Sequence, residues 1–239
     1  MVINLILRIE SGIPGLDQVM ADNKTGLGGI PENTATLVYG PPKVGKSIFC
    51  YQFMHSGLSL DEPCLYVLTD YGIKQLQQNI LDFGWKLDDY IENDMLYIVD
   101  AISSISGTKI MNTENFSSSS VHNPTDIMVK LGVGTRYMAQ KSPRFRSILD
   151  SLTTLFAFNQ EMLIVRVLTA YIMRIREAGG TAVITYTEGS ADIKVETMLK
   201  AVVDNVIKLD GEYITIEAMV GSGQKKTPYK ITDEGIILE

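Results

Sequence analysis

The chain has 239 residues, an apolar content of 45% and a formal net charge of −7 at pH 7. This apolar content supports a hydrophobic core and excludes a disordered chain. The acidic balance excludes a surface that as a whole attracts nucleic acid or acidic membranes, although a local basic groove stays open.

The chain opens with an apolar segment, Val2 to Leu7, that is too short for a signal peptide and lacks a cleavage pattern. We expect a docking strand or a partner-binding arm here. Cys50 and Cys64 both stand in apolar surroundings, which favours buried free thiols in a reducing cytoplasm. A cytoplasmic protein is therefore predicted.

A glycine-bounded loop follows the first predicted strand, Thr36 to Tyr39, and precedes a predicted helix that begins near Ile48. The loop fits the spacing G-x-x-x-x-G-K-[ST], in the strand–loop–helix order that this motif requires. Its residues are Gly40-Pro41-Pro42-Lys43-Val44-Gly45-Lys46-Ser47. We therefore predict that residues 40–48 bind the phosphates of a nucleotide.

The residue types of the loop explain this chemistry. Glycines let backbone N–H groups curl around phosphate oxygens, and the new helix directs its positive end at them. Lys46 is expected to reach the β- and γ-phosphates and to take part in the chemistry there, while Ser47 is expected to ligate Mg²⁺.

Beyond the loop, strands alternate with helices, which predicts an α/β fold with a mostly parallel central sheet and helices on both faces. Predicted strands lie at 64–69, 95–99, 147–150, 181–186, 202–209 and 213–219, and predicted helices at 73–83, 125–139 and 161–178. A final turn and strand occupy 231–236. We expect one domain over residues 1–239.

Three segments carry separate expectations. Residues 103–124 contain four consecutive serines and Gly107, which predicts a flexible excursion. The apolar stretch 162–175 is interrupted by Arg166 and Arg174, which excludes a membrane span and favours a helix packed on the sheet or on a neighbouring subunit. Residues 136–146 form the best basic stretch, and we expect a solvated face there rather than a nucleic-acid site.

Several motifs together resemble the KaiC-like domain of the RecA ATPase superfamily, over nearly the whole chain. They are residues 11–17 (SGIPGLD), 28–31 (GGIP), the phosphate loop, 149–155 (LDSLTTL), 203–209 (VDNVIKL) and 231–236 (ITDEGI). Residues 83–85 (FGW) and 99–101 (VDA) are most similar to the archaeal RadA paralogues, also called the RadC type.

The resemblance implies a RecA-like nucleotide-binding core with ATP and Mg²⁺ as cofactors. It implies that Asp150 holds a Mg²⁺-bound water and that Thr187 or Glu188 senses the γ-phosphate. It also implies a homo-oligomer, or a hetero-assembly with another RecA-family protein. Nucleic-acid binding is left open without support from the charge, and no membrane contact is expected.

Two departures from the family concern hydrolysis. KaiC-like proteins carry two glutamates after the second core strand, whereas this chain has Asp70-Tyr71. Asp70 is a doubtful catalytic base because it is one methylene shorter, and Tyr71 cannot act as a carboxylate. Loss of a positioned base typically costs about 10²–10⁴ in rate. A small backbone adjustment would alternatively let Asp70 do the same work.

The second departure lies near the C-terminus, where the family places Lys-x-Arg before a glycine and this chain has Ala218-Met219-Val220-Gly221. A cation supplied to a neighbouring subunit is worth roughly 10³–10⁵ in turnover. Lys225 and Lys226 could substitute from a flexible loop, or they belong to a solvated basic turn.

The sequence thus favours a regulatory nucleotide switch with weak or absent ATP hydrolysis. One alternative is an active ATPase that modulates DNA recombination. Another is a structural ring subunit of a larger assembly, with contacts through the 162–175 helix and the N-terminal arm.

Overall fold

A computed structural model describes residues 6–105, 107 and 111–239 of the chain. The strands are β1 (Arg8–Ile9), β2 (Ile30–Pro31), β3 (Ala35–Gly40), β4 (Cys64–Leu68), β5 (Leu96–Asp100), β6 (Phe116–Ser118), β7 (Phe145–Asp150), β8 (Gly180–Thr187), β9 (Asn205–Leu209), β10 (Tyr213–Ala218), β11 (Lys225–Thr232) and β12 (Gly235–Leu238). The helices are α1 (Leu16–Val19), α2 (Lys46–Ser59), α3 (Ile73–Leu81), α4 (Asp88–Glu92), α5 (Pro124–Lys141), α6 (Leu152–Phe158), α7 (Glu161–Glu177) and α8 (Ile193–Val202).

Ten of these strands form one sheet in the order β12-β11-β10-β9-β3-β8-β7-β4-β5-β6. Neighbours from β9 to β6 pair in parallel, while β10, β11 and β12 add an antiparallel extension beside β9. Every residue of β3, β4, β5 and β7 is buried, as expected for parallel strands that are covered on both faces. The predicted fold class is confirmed.

Alternate residues of β3 belong to different hydrophobic clusters, because successive side chains of a strand point to opposite faces. Val38 lies in a cluster with Phe49 of α2 and with residues of α3. Leu37 lies in a second cluster together with residues of α5, α7 and α8, including Leu168. The sheet is therefore enclosed between two helical layers.

Helix α7 buries one side, including Leu168, Tyr171 and Ile175, against the sheet, which agrees with the predicted packing of the 162–175 stretch. Its outer side exposes Met162 and Met173. No described helix is long and apolar enough to cross a membrane.

Seven elements of the structure were not predicted from the sequence: β1, β2, β6, α1, α4, α6 and α8. Strand β6 lies inside the 103–124 segment and pairs with β5, with Ser117 buried. A serine run has weak strand propensity, so only the long-range pairing fixes this strand. Residues 106 and 108–110 of the predicted excursion, and most of the N-terminal arm, lie outside the described residues.

Helix α8 is the longest of the missed elements, since the sequence indicated only a loop and then a strand after β8. Asp192 caps the helix by accepting a hydrogen bond from the backbone N–H of Lys194 at 2.8 Å. The predicted strand from 202 is shorter as a result, because β9 begins at Asn205. An Asp cap before a helix is a local signal that could have located it.

Candidate functional site

The phosphate loop joins the carboxyl end of β3 to the start of α2. Gly40 is required at the strand end, because a Cβ there would lie 1.8 Å from the backbone oxygen of Leu209. Gly45 precedes the helix with φ of 94°, a left-handed conformation that glycine adopts without strain. The first N–H groups of a helix lack intrahelical acceptors, so this end can bind an anion.

The loop borders a cavity of about 350 Å³ at the carboxyl edge of the sheet. Its lining residues are Pro42, Lys43, Gly45, Lys46, Ser47, Ile48, Asp70, Asp150, Ser151, Thr185, Thr187 and Ile231. Ligands of open α/β sheets bind at this edge. Of the predicted phosphate-binding residues, Gly40, Pro41 and Val44 do not line the cavity. Val44 instead accepts a hydrogen bond at its carbonyl from Tyr229.

Lys46 is 9% exposed, and its ammonium group donates to loop carbonyls of Gly40 at 3.1 Å and Pro41 at 2.6 Å. Burial lowers the pKa of Lys46 from its ordinary value, while the charges of Asp150 and Asp70 oppose that shift. No ion pair of Lys46 occurs among the described residues, and a phosphate in the cavity would supply a close anion.

Ser47 and Asp150 come together although they are 103 positions apart. The Ser47 hydroxyl donates to Asp150 Oδ1 at 3.3 Å, and Asp150 is 1% exposed at the end of β7. A hydroxyl beside a carboxylate is a donor set that suits Mg²⁺, a hard cation that prefers oxygen ligands. The residues present therefore fit the ion: Ser47 would be a direct ligand, and Asp150 would accept a hydrogen bond from a bound water.

Asp150 is surrounded by hydroxyl groups to which the sequence assigned no role in the site. Thr185 donates to Oδ1 at 2.6 Å, while Tyr71 and Tyr66 donate to Oδ2 at 2.5 and 3.2 Å. Burial raises the pKa of Asp150, and hydrogen bonds from Thr185 and Tyr71 oppose the increase. Burial also raises the pKa of Tyr71 well above its ordinary value, so its hydroxyl stays protonated and can donate.

Asp70 lines the same cavity and lies next to the β7–α6 junction. The Ser151 hydroxyl lies 3.0 and 2.9 Å from its two carboxylate oxygens, and the Thr154 hydroxyl donates to one of them. The side chains of Ser151 and Thr154 therefore fix the position of the Asp70 carboxylate. Ser151 was not given a catalytic role from the sequence, and here it holds the candidate base.

The two residues proposed to sense the γ-phosphate are placed differently. Thr187 lines the cavity and donates its backbone N–H to Thr153. Glu188 forms an ion pair with Lys208 at 2.9 Å. Among the described residues, only Thr187 of this pair borders the cavity.

Lys225 and Lys226 do not lie on a loop, because β11 begins with them. Lys225 donates to the carbonyl of Ala21 at 3.0 Å, and the Lys226 ammonium lies 3.9 Å from the Tyr213 ring centroid. Both cations therefore have partners within their own chain. Neither the flexible loop nor the basic turn describes this segment, because sheet pairing with β10 orders it.

The basic stretch 136–146 is divided among three environments. Lys141 pairs with Asp94 at 3.1 Å, and Arg144 pairs with Glu32 at 2.9 Å. Arg146 is 0% exposed within β7. These residues do not form a continuous basic groove.

Sequence comparisons relate the chain to known proteins. The sequence model of the family described as "ATPase: KaiC" matches residues 9–239. A UPF0273 protein of Pyrococcus furiosus is 30% identical, over 98% of this chain and 94% of its own length. The circadian clock oscillator protein KaiC of Prochlorococcus marinus is 27% identical over 98% of this chain, which spans 45% of that protein.

A solved structure has the same fold. The KaiC-like protein from the hyperthermophilic archaeon Pyrococcus horikoshii superposes with a TM-score of 0.75, covering 98% of this chain and 100% of the other, at 22% identity.

Proposed function

Because the chain belongs to the KaiC family of ATPases, we propose that it is an ATP-binding regulatory switch with slow or absent hydrolysis. One observation carries the proposal: the groups for phosphate and Mg²⁺ lie together, while the groups for hydrolysis are altered. Lys46, Ser47 and Asp150 line one cavity. Tyr71 stands where the family has a second glutamate and donates to Asp150.

ATP would bind with its phosphates along the 40–48 loop, and Ser47 would hold the Mg²⁺ that accompanies it. Lys46 would exchange its loop carbonyls for phosphate oxygens. Asp70 is the remaining carboxylate for orienting water, and its position in the cavity supports an active ATPase as the second candidate. The protein with bound nucleotide would then present to a partner a surface that differs from that of the nucleotide-free protein.

The partner is proposed to be another copy of this chain or a related RecA-family protein, in the cytoplasm. The exposed Met162 and Met173 side of α7 supports such a contact. The finer similarity to RadA paralogues rests on residues 83–85 and 99–101. The divided basic stretch gives no support to a role on DNA.

Purified protein with Mg·ATP tests the switch when nucleotide binding and phosphate release are followed in the same sample. We expect binding that Lys46→Ala abolishes, and phosphate release no faster than in that variant. Steady release that disappears in Lys46→Ala would refute the switch and establish a working ATPase. An oligomer whose size is the same with and without nucleotide would favour a structural ring subunit.

A further inference from the structure

The carboxylate of Asp150 has its hydrogen-bonding capacity filled by this chain. An ionised carboxylate offers about four acceptor positions. Four hydroxyls occupy them: Thr185 and Ser47 at Oδ1, and Tyr71 and Tyr66 at Oδ2. The shortest of these contacts is that of Tyr71, at 2.5 Å.

Only one of the four hydroxyls has a second task when Mg²⁺ binds. Ser47 would turn its oxygen to the ion, which opens the acceptor position at Oδ1 to an ion-bound water. The contacts from Thr185, Tyr66 and Tyr71 can remain. These three hydroxyls therefore decide the direction in which the open lone pair of Asp150 points.

The proton of Tyr71 is directed by a chain of hydrogen bonds that begins on α3. Gln75 Nε2 donates to Asn79 Oδ1 at 2.6 Å, which turns the amide nitrogen of Asn79 to Tyr51, at 3.0 Å. An amide NH₂ only donates, so the Tyr51 oxygen accepts and its single proton goes to Tyr71, at 3.0 Å. The Tyr71 proton is left for Asp150.

We propose that Tyr71 is a positioning residue of the magnesium site. Oriented by Asn79 and Tyr51, its hydroxyl holds Asp150 so that the free lone pair accepts from a Mg²⁺-bound water. The inference rests on the proposed binding of Mg·ATP and extends it to a tyrosine where the family has a carboxylate. The same series of hydrogen bonds would connect the partly exposed Asn79 of α3 to the ion.

Tyr71→Phe removes the donated proton and keeps the ring. Groups that orient metal ligands typically contribute 10–100-fold to metal affinity. We expect the Mg²⁺ concentration for half-maximal binding of a fluorescent ATP analogue to rise about 10-fold. The weaker binding of the analogue that remains in excess EDTA should be the same in the variant and the wild type, because the phosphate loop is intact.

Tyr171→Phe is the matched control. It removes another buried tyrosine hydroxyl, whose 2.7 Å hydrogen bond to Ser147 lies in the second hydrophobic cluster, away from the cavity. Its Mg²⁺ midpoint should equal that of the wild type. A midpoint that Tyr71→Phe also leaves unchanged, in a wild type that requires Mg²⁺, overturns the inference but not the proposed function.

Asn79→Asp tests the direction of the hydrogen bonds from Asn79 to Tyr71 by a change at a partly exposed position. It can replace Tyr71→Phe as the test if that variant does not fold. A carboxylate at 79 accepts the proton of Tyr51, so the Tyr51 oxygen becomes an acceptor for Tyr71 and competes with Asp150. We expect a higher Mg²⁺ midpoint, and an unchanged one overturns the role of Asn79. A wild type that binds no Mg·ATP would refute the proposed function itself.

Discussion

At the scale of single residues, the candidate site combines a buried carboxylate with a cation that lacks an anionic ligand. Asp150 is 1% exposed, and four hydroxyls replace the water that it loses on folding. Hydroxyls compensate a buried charge only in part, which is why its pKa is raised. The burial of Asp150 suits the binding of a cation, but without a cation it lowers the stability of the folded protein.

Asp150→Asn should therefore stabilise the nucleotide-free protein at neutral pH. A carboxyl group with a raised folded pKa stabilises fully below its unfolded value of 3.8 and loses that contribution as pH rises through the folded value. Asparagine has no such loss. We expect a higher melting temperature at pH 7, with the difference shrinking towards pH 4.

Asp210→Asn is the control with the opposite sign. Backbone N–H groups, that of Tyr213 first, lower the pKa of Asp210, so its contribution is present above the unfolded pKa and is lost on acidification. This variant should melt at a lower temperature at pH 7. A lower melting temperature for Asp150→Asn across the same pH range would contradict the expected cost of the buried charge.

At the scale of elements, helix α5 shows how neighbours decide the value of a glycine. Glycine has a low helix propensity, yet α5 runs unbroken past Gly132 and Gly134. A Cβ at Gly134 would lie 2.7 Å from the Tyr97 ring and 2.8 Å from Leu65, both buried in the sheet. A Cβ at Gly132 would meet only the guanidinium end of exposed Arg174.

Gly134→Ala and Gly132→Ala should accordingly differ in sign. Alanine at 134 overpacks the contact between helix and sheet, and we expect a loss of about 1–3 kcal/mol. Alanine at 132 gains up to about 1 kcal/mol of helix propensity, less the part that is lost when the exposed Arg174 side chain moves aside and leaves the carbonyl of Met128. Urea denaturation measures both. Equal effects at the two positions would show that helix propensity alone governs this helix.

At the scale of the whole molecule, three cations of the basic stretch 136–146 pair with carboxylates of the same chain. Net charge is −7, and the arginines and lysines of 136–146 that face the surface include Lys141 and Arg144, both in ion pairs. Buried Arg146 donates to the carbonyls of Glu10 and Phe53 and pairs with Glu62, which connects the N-terminal segment, α2 and the sheet. Its charge serves the fold.

We therefore expect no salt-dependent binding of single-stranded DNA, since such binding requires a basic groove that follows the backbone. Fluorescence anisotropy of a labelled oligonucleotide, measured from low to about 0.15 M salt, tests this. The double variant Lys141→Ala with Arg144→Ala should match the wild type. Binding that this variant loses would restore the DNA-linked ATPase as the better function.

The sequence by itself determined the phosphate loop and the alternation of strands and helices. Both depend on spacing within about 20 residues, which the chain displays without its fold. Lys46 and Ser47 were identified this way, and the motif similarities indicated the KaiC family. Helix α8 and strand β6 were missed, because a weak cap signal and a serine run say little until long-range pairing fixes them.

Only the tertiary structure decided what surrounds these residues. Tyr71 and Asp150 are 79 positions apart and meet because β4 and β7 are neighbours in the sheet. Arg146 belongs to a basic stretch by sequence, but in the fold it is a buried residue of β7 that donates to the carbonyl of Phe53 in α2. Local spacing records which groups a chain carries, whereas their partners depend on contacts between distant segments, which only the folded chain brings together.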